Sequence, residues 1–142
     1  MPNLPAHIDL AYRATRHLWS PTLDAHIGYF LLGSTAPDMR AITRGTREEY
    51  HFAPLSFLDV GAGVNGLLKT NPHLLRQSNG NGPTRAFVAG YMTHLMLDEA
   101  WIVDMYRPYF GNLKVYRDAT CGKVADRALQ MELDRLSQGG LE

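Results

Sequence analysis

Residues 87–101 place a histidine and an aspartate on the apolar face of one predicted helix. At 100° per residue, Asp98 lies about 40° from His94, and Phe87 and Met105 lie about 20° from His94. A carboxylate that points into an apolar layer is costly unless a positive group meets it there. An imidazole and a carboxylate that both face inward from one helix are typical of a metal site inside a helical bundle.

The remaining hydrophobic pattern predicts an all-α fold. Helices are expected at about 5–19, 21–33, 83–107 and 115–136, with a looser helical stretch at 55–77, and no segment alternates as a strand would. The segment at 83–107 is apolar nearly all round, so we expect a compact bundle with this long helix at its centre, carrying inward metal ligands. We expect residues 1–142 to form a single helical domain.

Two of these helices have a predicted inward stripe. The first consists of Leu4, Ile8, Ala11, Tyr12, Thr15, Leu18 and Trp19, and the second, near the end of the chain, consists of Val124, Ala128, Met131 and Leu136.

Composition excludes several classes of protein. The 142 residues carry 14 basic and 14 acidic side chains, so a broad basic nucleic-acid surface is not expected. Cys121 is the one cysteine, which excludes a disulfide framework and a thiolate zinc cluster. The apolar runs are too short to form a transmembrane segment, and the first residues lack the pattern of a secretory signal. A cytoplasmic location is therefore expected.

Five residues are candidate metal ligands: His7, Asp38, His51, His94 and Asp98. The turn-prone loop at 33–38 delivers Asp38 just beyond a predicted helix end. A set that mixes histidines and carboxylates suits a hydrolytic metal centre better than a structural one, which usually contains thiolates.

Each candidate also has a simpler interpretation: His7, near the start of the sequence, would usually be a surface residue, and His51, next to Tyr50 and Phe52, is ambiguous. Taken alone, His94 could be a hydrogen-bonded core histidine, and Asp98 could pair with Arg85 or Arg107. Asp38, after a proline, could be an ordinary turn residue. Surface or structural roles are expected for His17, His26 and His73, and a helix cap for the Glu48–Glu49 pair. The loop at 78–83 lacks the lysine and the spacing of a nucleotide-binding loop.

The candidates occur in a characteristic order along the chain. The pieces are Pro5-Ala-His7-Ile, Leu32-Gly-Ser-Thr-Ala-Pro-Asp38, Tyr50-His51-Phe52 and Ala86-Phe-Val-Ala-Gly-Tyr-Met-Thr-His94-Leu-Met-Leu-Asp98. Over about residues 5–101 this order resembles the bacterial zinc-dependent phospholipase C family, which is similar in fold to the fungal single-strand-specific zinc nucleases. The chain is similar to the N-terminal part of such enzymes.

The resemblance implies a function and a role for each candidate. Asp38, His51, His94 and Asp98 would bind one zinc ion, and His7 would bind a second, bridged to the first through Asp98. Asp38 would also act in catalysis by orienting the attacking water. The implied activity is that of a phosphodiesterase: the zinc centre would hydrolyse a phosphoester, such as a phospholipid, as a phospholipase C does.

The chain departs from the family pattern in ways that limit the number of ions. Members with three metals supply two further histidines and a glutamate after the central helix, whereas no histidine follows His94 here. Those members also use the amino group of the processed N-terminus, whereas Met1-Pro-Asn precedes the first candidate ligand. A centre of one or two zinc ions is therefore expected.

The missing downstream histidines favour an alternative function that is not enzymatic. In this alternative, the protein is a non-catalytic helical binding or assembly module with a degenerate or structural metal site. A nucleotide phosphohydrolase with adjacent histidine and aspartate ligands is a third hypothesis, but no His-Asp dipeptide occurs.

Overall fold

The computed structural model describes residues 2–76, 81–112 and 114–139, and for residues 75–76 it describes the backbone only. Residues 78–80 of the loop predicted at 78–83 and the last residues of the chain lie outside this part. The helices are α1 Leu4–Thr15, α2 Pro21–Ala25, α3 Ile27–Gly33, α4 Arg40–Thr43, α5 Arg47–His51, α6 Ala62–Thr70, α7 His73–Arg76, α8 Gly82–Ala100 and α9 Ala119–Gln138. A 3₁₀ turn, Ala36–Met39, precedes α4.

The predicted all-α fold with a long central helix is confirmed. No strand occurs in the described ranges. α8 begins where Asn81 caps it, the side-chain oxygen accepting from the backbone N–H of Thr84 at 3.0 Å. A π-helical segment, Trp101–Phe110, continues it without a break. No helix in the described part of the chain is long and apolar enough to cross a membrane.

Two glycines let α3 and α8 cross closely enough to build the site. A Cβ at Gly90 of α8 would overlap the carbonyl oxygen of Phe30, and one at Gly33 of α3 would overlap that of Phe87. The crossing therefore needs glycine on both helices. Since Gly90 is one turn before His94, the same approach brings that turn of α8 against the end of α3.

Among the residues that the structure describes, buried apolar residues form two clusters. One cluster contains Ala11, Leu23, Phe30 and Ala86, and another contains Ala53, Phe57 and Ile102. The predicted helix at 21–33 is divided into α2 and α3 at His26, whose backbone (φ −130°, ψ 35°) is not helical.

The predicted inward stripe of the last helix is wrong. Val124, Ala128, Met131 and Leu136 are all exposed, and the buried residues of α9 are Gly122, Asp126, Gln130 and Ser137. A buried hydrogen-bond network explains the polar inward face, because Asp126 accepts from Trp101 Nε1 at 2.9 Å and from Gln130 Nε2 at 2.8 Å.

The stripe predicted for the first helix is wrong in most of its length. Ala11 is fully buried, but Leu4, Tyr12, Leu18 and Trp19 are exposed. The helix ends at Thr15, so the last two residues of the predicted stripe lie outside it. The buried face of α1 instead contains Ala6, His7, Asp9 and Ala11.

Candidate metal centre

The buried carboxylate of Asp98 lies at the centre of a cluster of imidazoles. Its Oδ2 lies 3.0 Å from His51 Nε2 and 3.7 Å from His94 Nε2, and its Oδ1 lies 3.3 Å from His7 Nε2. These four side chains are each at most 1% exposed. Residues from α1, α5 and α8, separated by up to 91 positions in the sequence, thus meet at one point.

Local backbone features carry His51 to this point. Thr46 and Glu49 form a capping box at the start of α5, which places His51 in the last turn. The hydroxyl of Tyr91 on α8 donates to the carbonyl oxygen of Tyr50 at 2.6 Å. The end of α5 is therefore tied directly to the central helix.

The ring of His94 is oriented by the backbone at the end of α3. Its Nδ1 donates to the carbonyl oxygen of Ser34 at 2.8 Å, so the proton of the neutral ring lies on Nδ1 and the lone pair of Nε2 faces the cluster. Burial, and next the charge of His7, lower the pKa of His94 to about 3. The ring of His7 stacks on that of His94, with the centroids 3.8 Å apart. His94 is thus held in the neutral form that binds metals.

Asp98 is held in its ionised form. Burial alone would raise the pKa of this carboxyl group, but the imidazoles of His51 and His7 lower it well below the usual range. Arg47 lies beside it, with Nη2 3.7 Å from Asp98 Oδ2. The predicted alternative pairing with Arg85 or Arg107 is not observed; Arg107 donates instead to the carbonyl oxygens of Leu55 and Phe57.

The cluster contains buried polar atoms that the protein itself does not satisfy. Within the described residues, both ring nitrogens of His7, Nδ1 of His51, Nε2 of His94 and Oδ1 of Asp98 lack a well-formed hydrogen bond. Such atoms are rare in folded proteins and each needs an explanation. Lone pairs of imidazole and carboxylate groups that converge in this way fit a zinc ion.

Asp38 is the one candidate ligand that reaches solvent. It lies in the 3₁₀ turn after α3, with Oδ1 3.9 Å from His94 Nε2 and a side chain that is 31% exposed. Burial, and next the charge of Asp98, raise the pKa of Asp38. Its side chain lines a cleft of about 580 Å³. The cluster is therefore buried except at Asp38.

The five predicted residues form two overlapping groups. Possible ligand atoms of His7, His94 and Asp98 lie within 4.8 Å of one another, and so do those of Asp38, His51 and His94. His94 belongs to both groups. This geometry brings all five candidates together, and their roles as ligands remain a prediction.

Sequence reasoning did not find two residues beside the cluster, Arg47 and Glu99. Glu99 is 2% exposed, and its two oxygens accept from the backbone N–H groups of Gly61 at 2.5 Å and Gly63 at 2.6 Å. A carboxylate on a helix that is apolar nearly all round was a detectable signal, since it has to be buried. No comparable signal marks Arg47.

The weaker candidates have the roles expected of them. His17 and His73 are exposed, and His26 is half-buried between α2 and α3. Glu49 is a capping residue of α5, as predicted. Cys121 is a free, exposed thiol.

Comparison with known proteins identifies one family. A family model described as zinc dependent phospholipase C matches residues 6–101. The match begins one residue before His7 and ends three residues after Asp98, so it covers all five candidate ligands. No curated protein and no solved structure matches the chain.

Proposed function

This chain belongs to the zinc-dependent phospholipase C family, and on that premise we propose that it hydrolyses phosphoesters at a centre of one or two zinc ions. The observation that carries the proposal is the convergence of three buried histidines and two carboxylates, with unsatisfied lone pairs, at the edge of a cleft. A phospholipid or another phosphodiester is the expected substrate.

The proposed ligands divide between two positions. Asp38, His51, His94 and Asp98 would hold the first ion, and His7 would hold a second, with Asp98 shared between them. Sharing suits Asp98 because its Oδ2 faces His51 and its Oδ1 faces His7, so each oxygen already points toward a different position. An ionised carboxylate also offsets the repulsion between two nearby cations.

The surrounding residues then perform separate tasks. Zinc bound there supplies Lewis-acid activation of a water molecule and of the phosphoryl oxygen. Asp38, the ligand that faces the cleft, accepts a hydrogen bond from the attacking water and orients it. The Ser34 carbonyl keeps the proton of His94 on Nδ1, and Asp98 and its imidazole neighbours exclude bulk water from the opposite side.

The partial exposure of Asp38 also bears on the alternative, in which a binding module holds a structural metal. Structural zinc sites are closed by protein ligands, whereas catalytic sites keep an open position. His7, His51, His94 and Asp98 are fully buried, but Asp38 is partly exposed and lines the cleft. This opening favours the enzyme. The cytoplasmic location expected from the sequence stays a prediction.

Elemental analysis and a phosphodiesterase assay test the proposal. The purified protein, reconstituted with zinc and freed of excess metal, should retain zinc and hydrolyse bis(4-nitrophenyl) phosphate. Asp38→Asn should lower kcat at least ~100-fold, the usual range for loss of a proton-accepting group. His17→Ala, which changes an exposed histidine, is the matched control and should match the parent in both measurements. Zinc retention without hydrolysis of any diester would favour the binding module.

A further inference from the structure

The cleft beside Asp38 is lined in part by residues that lie outside the family match. Its lining includes Asp38 and Arg40, from the 3₁₀ turn and α4, and Arg127 and Gln130 of α9. The family match ends at residue 101, so α9 lies outside it. At about 580 Å³ the cleft is large enough for the polar part of a small ligand.

Arg127 is an exposed residue that lines the cleft, and its hydrogen bonds within the described residues go to neutral groups. Its Nη1 donates to Asn3 Oδ1 at 2.5 Å and to Gln130 Oε1 at 3.1 Å. The oxygen of each amide points toward the arginine, and the nitrogen of each amide donates to a carboxylate. The side-chain nitrogen of Gln130 donates to Asp126, and the side-chain nitrogen of Asn3 donates to Asp134. No carboxylate in the described ranges lies within 4.0 Å of Arg127. Its charge therefore has no direct ion-pair partner among the described residues.

Arg40 adds a second positive charge to the same cleft. It follows Asp38 by two residues, lines the cleft, and has no ion pair with any residue that the structure describes. Its charge acts on Asp38, where it opposes the rise in pKa. Two arginines thus line a cleft whose single lining carboxylate belongs to the proposed metal centre.

We propose that this cleft selects a phosphodiester whose headgroup carries a further anionic group, and that Arg127 binds that group. The inference rests on the proposed function, because the scissile diester would lie at the Asp38 end, near Arg40. A guanidinium suits a phosphate or carboxylate through paired N–H donors. A quaternary ammonium headgroup is disfavoured, because it would meet two cations and no aromatic ring lines the cleft.

Binding of two soluble probes to the zinc-loaded protein tests the proposal. The probes are the phosphonate analogues of glycerophosphoinositol 4-phosphate and of glycerophosphocholine, in which a methylene group replaces the bridging oxygen so that binding is measured without turnover. Calorimetry gives Kd for the parent, Arg127→Gln and Arg127→Lys. The matched control is Arg135→Gln, which removes the same charge from an exposed position on α9.

The parent should bind the anionic probe at least ~10-fold more tightly than the choline probe, since charge-assisted hydrogen bonds are the stronger class. Arg127→Gln should remove that preference without changing the affinity for the choline probe, Arg127→Lys should keep part of it, and Arg135→Gln should keep all of it. Equal loss for both probes, no loss in Arg127→Gln, or tighter binding of the choline probe by the parent would overturn the proposal.

The same variants separate the two sources of such a headgroup. Vesicles of phosphatidylcholine with 5% phosphatidylinositol 4-phosphate present the anionic headgroup on a lipid, and the soluble probe presents the same headgroup in solution. Arg127-dependent binding to both indicates a lipid substrate, and binding to the soluble probe alone indicates a soluble diester; either supports the selection by charge. If the loaded protein hydrolyses no diester but the Arg127-dependent preference persists, the proposed activity fails and the anionic site stands.

Discussion

Replacing Asp98 with asparagine should weaken metal binding at both proposed positions. The substitution keeps the shape of the side chain but removes the negative charge and one carboxylate oxygen. Because Oδ2 faces His51 and Oδ1 faces His7, an amide must turn its NH₂ group toward one of the two imidazoles, whichever way it rotates. One position therefore loses an oxygen ligand, and both lose the charge.

The expected loss follows from the burial and the contacts of this residue. Changing a group that only supports a ligand typically costs 10–100-fold in metal affinity. Asp98 is 1% exposed and is proposed as a ligand itself, so we expect each Kd for zinc to rise at least ~100-fold, or about 2.7 kcal/mol. The metal-free variant should also lose about 2–3 kcal/mol of folding stability, since hydrogen bonds to a charged group are weakened.

His7→Ala provides the comparison that makes this prediction specific. It should empty only the second position and leave the first occupied, because His7 contacts Asp98 from α1 while His51 and His94 stay in place. Zinc stoichiometry after gel filtration, with competition against a chelator of known affinity, gives both numbers. Urea unfolding of the metal-free proteins verifies that each variant is folded.

Two outcomes would refute the shared-carboxylate arrangement. If Asp98→Asn retains the full stoichiometry of the parent with unchanged affinity, Asp98 is a core carboxylate that serves the imidazoles and Arg47 rather than zinc. If His7→Ala loses all bound zinc, the two positions are not separate. A folded parent that never binds zinc would remove the metal hypothesis altogether.

Three further predictions concern the scaffold. Gly90→Ala should destabilise the fold by about 1–3 kcal/mol in urea unfolding, because its Cβ would overlap a backbone carbonyl of α3. Metal-free protein should lose stability as the pH falls below about 6.5. His94 of the unfolded chain takes up a proton near that pH, whereas burial lowers the pKa of His94 in the folded chain to about 3. The loss of unfolding free energy attributable to His94 is about 2 kcal/mol by pH 5. Glu99→Gln should raise the Kd for zinc about 10-fold, because its carboxylate binds the start of α6, which packs against the backbone of His51.

Each of these has a matched control. Gly28→Ala changes another glycine of the α3–α8 region that has open space around its Cβ, so it should not destabilise the fold. His94→Asn removes the titrating ring and should flatten the acid-induced loss. Glu99→Ala should shift the zinc affinity further than Glu99→Gln does. Equal effects of Gly28→Ala and Gly90→Ala, an unchanged pH dependence in His94→Asn, or unaltered zinc binding in both Glu99 variants would contradict the respective argument.

The local spacing of residues made half of the cluster predictable. His94 and Asp98 are four residues apart on a helix that is apolar nearly all round, so their shared inward face depends on helix geometry alone. Gly90 lies on the same helix, one turn before His94. The need for a glycine at this position became clear only from the crossing with α3, where a Cβ would meet the carbonyl oxygen of Phe30.

Elements with few apolar residues could not be oriented from the sequence. On α9 the exposed Val124 and Met131 had suggested the inward face, but the hydrogen bond from Trp101 to Asp126 turns the polar face inward. The burial of polar groups depends on partners that are distant in sequence, and hydrophobic periodicity carries no information about such partners.

The sequence by itself thus determined the helical class, the central helix and the i, i+4 pair of His94 and Asp98, because these depend on interactions between near neighbours in the chain. Only the tertiary structure decided that Arg47 and Glu99 flank the cluster and that Arg127 and Asp38 line the same cleft. The physical reason is that a side chain's partners across the fold follow from how whole helices pack, and close packing is a property of all the contacting helices together.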